Sequence, residues 1–354
     1  MPTQPDPEPV LTPDPTAGPQ SALADEVAPV PVSLLAGQRA LPLVTVAPRW
    51  TRASRHVIGD RPLWLTWPSV VLLTLIVIVP FLIAFYISFL NLDQYTLRQW
   101  VHAPWVGLAN YVQALTSGNV LGASALQSLG VSVGFSVLTT LFITPIGILA
   151  ALTVNTPFRG RTVMRSLYLV PYVIPIFVNA LLWRMMFLSH SGLVDQFLAG
   201  IHVADINTYW LLGGNSFWAL VIADTWASWA FIYIIVLAGL QSVPRDIYES
   251  ADIDGANSWQ KLTRVVLPQL RRLLGLGLLL STLNHFNNFT LPFVMFGTPP
   301  PPQADVLPLN VYVSSFQLFN FGLGAAMSVI TLLLMVIPGF IYLRAMRLGE
   351  TAAG

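Results

Sequence analysis

A run of seven residues, Asn284-His285-Phe286-Asn287-Asn288-Phe289-Thr290, places three amides, an imidazole and a hydroxyl inside an otherwise apolar stretch. A second apolar stretch holds Asp224, Trp226, Ser228, Trp229 and Phe231. Polar groups in such surroundings are costly, so they face an interior cavity or bind one another. Amides donate and accept hydrogen bonds, and aromatic faces pack on C–H surfaces. Together they suit a neutral solute rich in hydroxyls, whose edge needs paired hydrogen bonds and whose face needs an apolar surface. Hydrogen-bonded glue between helices is the competing reading for each residue. Asp224 needs a partner or water, and His285 would serve equally as a packed core residue.

Other chemistries find little support. The chain has no cysteine, which excludes disulfides, thiolate catalysis and cysteine-held metals, and its five histidines are scattered. No nucleophile–base set or His/Glu metal cluster stands at a plausible spacing. The single lysine, Lys261, lacks the glycine frame of a phosphate-cradling loop, so the chain is expected to bind no nucleotide itself. A net charge of +1 leaves no basic face for nucleic acid. The polar candidates include no basic residue apart from Arg184, which is expected to reach for the outer interface. A phosphorylated solute would call for Arg or Lys. A glycerol-phosphate-type solute is therefore the second choice, open only if a partner supplies the charge.

The elements that must position these residues are membrane helices. Hydrophobic residues make up 55% of the chain and charged residues 9%, against about 25% charge in soluble domains. Mean hydropathy is +0.66. A bilayer crossing takes about 20 apolar residues, and six stretches qualify: 64–90, 126–152, 163–188, 216–240, 271–296 and 322–344. Their length argues against barrel strands, so an all-α, six-helix membrane bundle over 61–348 is expected. Pro80, Pro145, Pro171, Pro175 and Pro292 fall within spans, where neighbouring groups can re-satisfy freed carbonyls. The basic residues cluster before the first span, between the second and third, between the fourth and fifth, and after the sixth. That bias puts both termini of a multi-pass membrane protein in the cytoplasm. Residues 1–60 are expected to form a disordered cytoplasmic tail, since eleven prolines fall before Arg49 and little can be buried. The outer segments 91–125 and 189–215, rich in Trp, Tyr, Asn and Gly, suggest an extracytoplasmic contact.

The connection 241–270 reads as a helix–turn–helix. Pro244 suits a helix start, with Asp246 and Glu249 in the early turns where the helix dipole favours anions. Ile247, Tyr248 and Ala251 supply an apolar face, and Gly255 permits the left-handed turn that ends the helix. Asn257 or Ser258 then caps a second helix carrying Trp259, Leu262, Val265 and Val266 on one side, and Pro268 is expected to break the chain before the fifth span. Such an amphipathic hairpin suits docking into a groove of a partner.

The run Glu249-Ser250-Ala251-Asp252-Ile253-Asp254-Gly255-Ala256, followed by Trp259, Leu262, Val265 and Leu267-Pro268, resembles the EAA loop of binding-protein-dependent ABC importer permeases. It is most similar to the carbohydrate-uptake, maltose-permease-related class. The resemblance implies a type I importer permease in which a cytoplasmic coupling loop docks on a separate ATPase. Glu249, Ala251, Asp254, Gly255 and Ala256 are the coupling positions it implies. By spacing from Glu249, it also implies that Asp224, Ser228 and Phe231 line the solute cavity opposite Asn284, His285, Asn287 and Asn288. It implies a transport subunit and not an enzyme, with ATP and Mg bound by an ATPase dimer. A second homologous permease would complete a heterodimer, fed with sugar by an extracytoplasmic solute-binding protein. Ser250 stands where a second small Ala is usual, Arg272 where a further Pro often follows, and His285 where an Asn is expected. An ion-coupled secondary transporter is the rival class; it would leave the hairpin unexplained and calls for more intramembrane carboxylates than Asp224 alone.

Overall fold

The computed structural model describes residues 66–116, 123–202 and 208–351. From Ser69 onward the chain is one compact unit. The tail expected over 1–60 lies outside the described residues.

Among the described residues, five helices are long and apolar enough to cross a membrane: α1 (Trp67–Ile87), α3 (Ala125–Thr153), α7 (Gly213–Ser242), α9 (Ser258–Phe286) and α12, of which Phe321–Arg344 forms the candidate span. The shorter helices are α2 (Ala109–Thr116), α4 (Arg161–Val173), α5 (Ile176–Met186), α6 (Leu193–Gly200), α8 (Arg245–Ile253), α10 (Thr290–Phe296) and α11 (Leu307–Tyr312). The expected span 163–188 is the pair α4 and α5, bent by 87°. Two prolines explain the bend. The pre-proline position disfavours helical geometry, and Ile174, before Pro175, is extended at φ −67°, ψ 126°. The expected span 271–296 is likewise divided into α9 and α10 by a break at 287–289.

Pro268 does not interrupt the chain as expected, because α9 runs unbroken from Ser258 through Phe286. The turn before it, Lys261–Val266, is widened to a π-helix, and the Leu267 N–H bonds back to the Leu262 carbonyl. A proline lacks the N–H of the ordinary ladder and its ring crowds the carbonyl four residues earlier. One wider turn relieves both problems. The same device precedes Pro80 in α1, where the Val79 N–H bonds to the Thr74 carbonyl.

The core is built around α3 and α7. A side chain at Gly147 would come within 2.8 Å of Ile232 and 2.9 Å of the Tyr233 nitrogen, so glycine sets the closeness of these two helices. Below that contact, Ile143, Ala151, Ile232, Tyr233 and Val236 pack with Val266 and Leu270 of α9. Above it, Phe135, Phe187, Leu220, Leu291 and Met295 bring α5 and α10 onto the pair. Helix α1 buries none of its residues within this chain. The segment after α10 is tied to the start of α3 by a polar network. Asp305 Oδ2 accepts from the Ala123 N–H (3.2 Å), Ser128 Oγ (3.1 Å) and Asn310 Nδ2 (2.8 Å). Burial pushes the Asp305 carboxyl up to about 6 despite these bonds.

Candidate functional site

The break after α9 is made by Asn288. Its Oδ1 accepts from the Leu291 N–H at 3.2 Å, satisfying a donor in the first turn of α10. Its Nδ2 donates to Asp224 Oδ1 of α7 at 3.2 Å. The Ser228 hydroxyl, one turn along α7, donates to the same oxygen at 3.4 Å. His285 Nδ1 stands 2.6 Å from Asp224 Oδ2, an ion-pair separation without the alignment of a hydrogen bond. His285 Nε2 is buried and has no partner in the chain. Phe135 of α3 meets the imidazole edge-on, with ring centroids 6.3 Å apart. Asp224, His285 and Asn288 are all buried, so they form a clasp between α7 and the α9–α10 break.

In front of this clasp lies a cavity of about 130 Å³, lined by Tyr172, Ser228, Phe231, Leu280, Ser281, Asn284 and His285. Four of the seven polar or aromatic residues implied by the resemblance, Ser228, Phe231, Asn284 and His285, thus share one cavity, with Asp224 and Asn288 behind it. Asn287 points elsewhere, into an apolar cleft with Phe81, Phe85, Val311 and Met335. The geometry follows from the helical repeat: 284, 285 and 288 lie on one side, and 287 falls beyond it at the break. Sequence reasoning missed Tyr172, whose ring stacks on Phe231 at 6.3 Å with 23° between planes. Its position between Pro171 and Pro175 was the available signal, because the bend they produce turns the end of α4 toward α7. Arg184 lies outside the cavity, with Nη1 donating to the Val294 carbonyl at 3.3 Å. Among the described residues no cluster of His, Cys, Asp or Glu could hold a metal ion.

Ligand pockets usually occupy about 300–1,000 Å³. The 130 Å³ here would admit about four waters at ~30 Å³ each. Hydroxyl, amide and imidazole groups beside two stacked rings can exchange hydrogen bonds with a polyhydroxyl solute, but one chain encloses only part of such a solute.

The hairpin after α7 is the second site. Pro244 precedes α8, and Asp246 lies in its first turn. Gly255 takes the left-handed turn at φ +72°, and the Ala256 N–H closes on the Ala251 carbonyl at 3.0 Å. Asn257 and Gln260 form a reciprocal capping box, with both bonds at 2.9 Å. Lys261 Nζ pairs with Asp252 Oδ1 across the turn. Ala251 is buried, with Tyr248 and Leu262 packed on the cluster around Val236 and Val266. Glu249, Asp254 and Gly255 are exposed and Ala256 is half-buried. Trp259 does not share one side with Leu262 and Val266 as expected: it is 70% exposed, and Ile253 is 88% exposed, while Leu262 and Val266 turn inward.

A multi-pass helical protein with a broken-helix polar cavity and a protruding capped hairpin is a membrane permease in class. The chain belongs to the binding-protein-dependent transport system inner membrane component family, whose model matches residues 143–347. It is 32% identical over 245 residues to the trehalose/maltose transport system permease protein MalF of Thermococcus litoralis, covering 69% of this chain and 80% of that protein. The sulfoquinovosyl glycerol transport system permease protein SmoG of Agrobacterium fabrum is 29% identical over 307 residues, covering 85% of this chain and 94% of its own. In fold, the chain is similar to a chain of the bacterial alginate ABC transporter solved with its alginate-pentasaccharide-bound periplasmic protein. The TM-score is 0.65 at 21% identity, covering 83% of this chain and 95% of that one.

Proposed function

We propose that this chain is one permease half of an ATP-driven importer that passes a neutral sugar inward from an extracytoplasmic solute-binding protein. The observation that carries the reading is the cavity in front of Asp224: hydroxyls and amides beside the Tyr172–Phe231 stack, with no lysine or arginine in its lining. The names of two permeases similar in sequence, for trehalose/maltose and sulfoquinovosyl glycerol transport, support a saccharide class. The cavity's small volume supports a partner permease completing the site, in a heterodimer of homologous subunits.

The hairpin 241–270 is the coupling loop in this reading, held on the cytoplasmic side with both termini. Ile253 and Trp259 are two apolar groups exposed on a rigid capped turn, the arrangement that fills a partner's pocket. Glu249 and Asp254 flank them with charge, and Ala251, Gly255 and Ala256 set the shape. The partner is an ATPase subunit, one per hairpin, which binds ATP and Mg; this chain supplies no catalytic group.

Competition for uptake tests the solute class. Cells expressing the complete transporter take up a labelled saccharide bound by the cognate solute-binding protein. Unlabelled neutral saccharides are expected to compete and sugar phosphates to fail. Competition by phosphorylated polyols alone would replace the neutral-sugar reading.

A further inference from the structure

The segment Tyr95–Thr116, which follows α1, is built inside out by the standard of a soluble surface. Its inward residues are small or polar: Ala103, Asn110 and Ala114 are buried. Asn110 Nδ2 donates to the Ser88 carbonyl at 2.9 Å and the Leu90 carbonyl at 2.8 Å. The large apolar residues point away from the protein. Tyr95 is 83% exposed, Leu108 65% and Trp105 62%, with Val101, Val112 and Leu115 exposed beside them. The segment is also firmly held. The Asn91 N–H bonds to the Pro104 carbonyl at 2.8 Å, and the Val106 N–H to the Phe89 carbonyl at 2.9 Å. Trp105 stacks on Phe89 with centroids 5.3 Å apart and 10° between planes, and Tyr86 lies 6.1 Å from Trp105.

What covers such a surface follows from its continuity and its charge. Tyr86 belongs to the last turn of α1, a membrane helix with no buried residue, so the exposed rings continue that helix's surface without a gap. Aromatic residues gather where a membrane helix leaves the hydrocarbon, with the ring among headgroups and the polar tip in water. Between Tyr95 and Thr116, Arg98 is the one residue with a formal charge. A soluble partner that must leave again would meet a surface with a polar rim and many hydrogen-bonding groups. Exposed apolar side chains on short helices beside a span instead suit the plane of the interface.

We propose that residues 95–116 form a platform lying in the bilayer interface at the end of α1, with Val101, Trp105, Leu108 and Val112 immersed among the lipids. The platform is anchored to the bundle through the stretch before it: the Asn91 N–H holds the Pro104 carbonyl at 2.8 Å, and the neighbouring Leu92 carbonyl accepts from the Gly322 N–H at the start of α12 at 3.0 Å. It does not depend on which solute is carried.

The absence of cysteine makes the test direct. Single variants Val101→Cys, Leu108→Cys and Val112→Cys of the full chain carry an environment-sensitive fluorophore in proteoliposomes, with the exposed Gln303→Cys as the water-facing reference. The platform predicts blue-shifted emission at all three positions, lost on adding brominated phospholipid and kept in iodide. The reference should behave in the opposite way. Because the three positions lie on separate turns, local distortion at one would not reproduce the pattern at the others. Iodide quenching at all three equal to the reference would overturn the proposal. So would shielding that develops only after the solute-binding protein is added, which would make this face a protein docking surface.

Discussion

Asp224 has Asn288, Ser228 and His285 against its carboxyl group inside a membrane bundle, and each neighbour has a different second duty. Asn288 also caps α10, so Asn288→Ala removes two bonds together. A lost cap costs about 1 kcal/mol, and a buried carboxylate left short of a donor costs about 1–3 kcal/mol more. We expect lower thermal stability of the purified complex and uptake reduced several-fold, with the solute-binding protein's own sugar affinity unchanged. Asp224→Asn retains the shape and should be tolerated better than Asp224→Leu, which strands Asn288 and His285 together. Equal uptake in both Asp224 variants and wild type would remove the clasp from the transport pathway. Ser228 and Asn284 face the cavity more directly, so Asn284→Ala should lower uptake without the loss in stability. Asp305 offers a pH-dependent test. Its carboxyl is raised from 3.8 to about 6, so the folded state prefers the protonated form. The corresponding stability is present below 3.8, and is lost as pH rises through about 6. At about 1.4 kcal/mol per pH unit it is worth roughly 3 kcal/mol. Asp305→Asn should flatten that part of the melting profile, and an unchanged pH dependence would contradict the account.

At the scale of elements, the hairpin was the most legible part of the sequence. Gly255, the start of α8 after Pro244 and the cap at Asn257 each depend on neighbours within a few residues, and local chemistry determines them. The reciprocal bond from Gln260 is of the same kind and could have been read from Asn257-x-x-Gln260. The bend between α4 and α5 was not legible from hydrophobicity, since both halves are apolar and the prolines alone do not say whether a span kinks or breaks. The pairing of Tyr172 with Phe231 lay further out of reach, because it depends on how α4 crosses α7. Nor does composition reveal that Trp259 and Ile253 face outward while Leu262 and Val266 face in; the π-turn Lys261–Val266 begins after Trp259 and contains both inward residues, which shifts the register. For coupling, Gly255→Pro cannot adopt the φ of +72° and should abolish ATPase stimulation at normal membrane levels of the protein. Glu249→Lys should do the same by reversing charge on the exposed side of α8. Trp259→Glu and Ile253→Glu leave the hairpin's internal bonds intact and should weaken ATPase association in co-purification. Wild-type association in both would move the docking contact elsewhere.

For the whole molecule, the controlling fact is that its exposed surface is largely apolar while its polar cavity is small and shallow. The first property was evident from composition; of the six expected spans, four are continuous helices, 163–188 is a bent pair and 271–296 is divided between α9 and α10. The second required the packed structure, because cavity volume depends on how α4, α7 and α9 meet. In the proposed reading, the half-enclosed cavity and the hairpin are one half of a two-permease assembly. Co-purification through this chain should therefore recover a second, different permease and an ATPase, whereas a stable homodimer that stimulates ATPase activity would refute the heterodimer. Energy coupling is the central claim. The measurement is uptake of a labelled neutral saccharide into proteoliposomes containing the purified complex, with the solute-binding protein and saccharide outside and nucleotide trapped inside. The account predicts uptake with ATP and Mg inside, none with ADP, and none without the binding protein. Uptake driven by a proton or sodium gradient in the absence of ATP would contradict it.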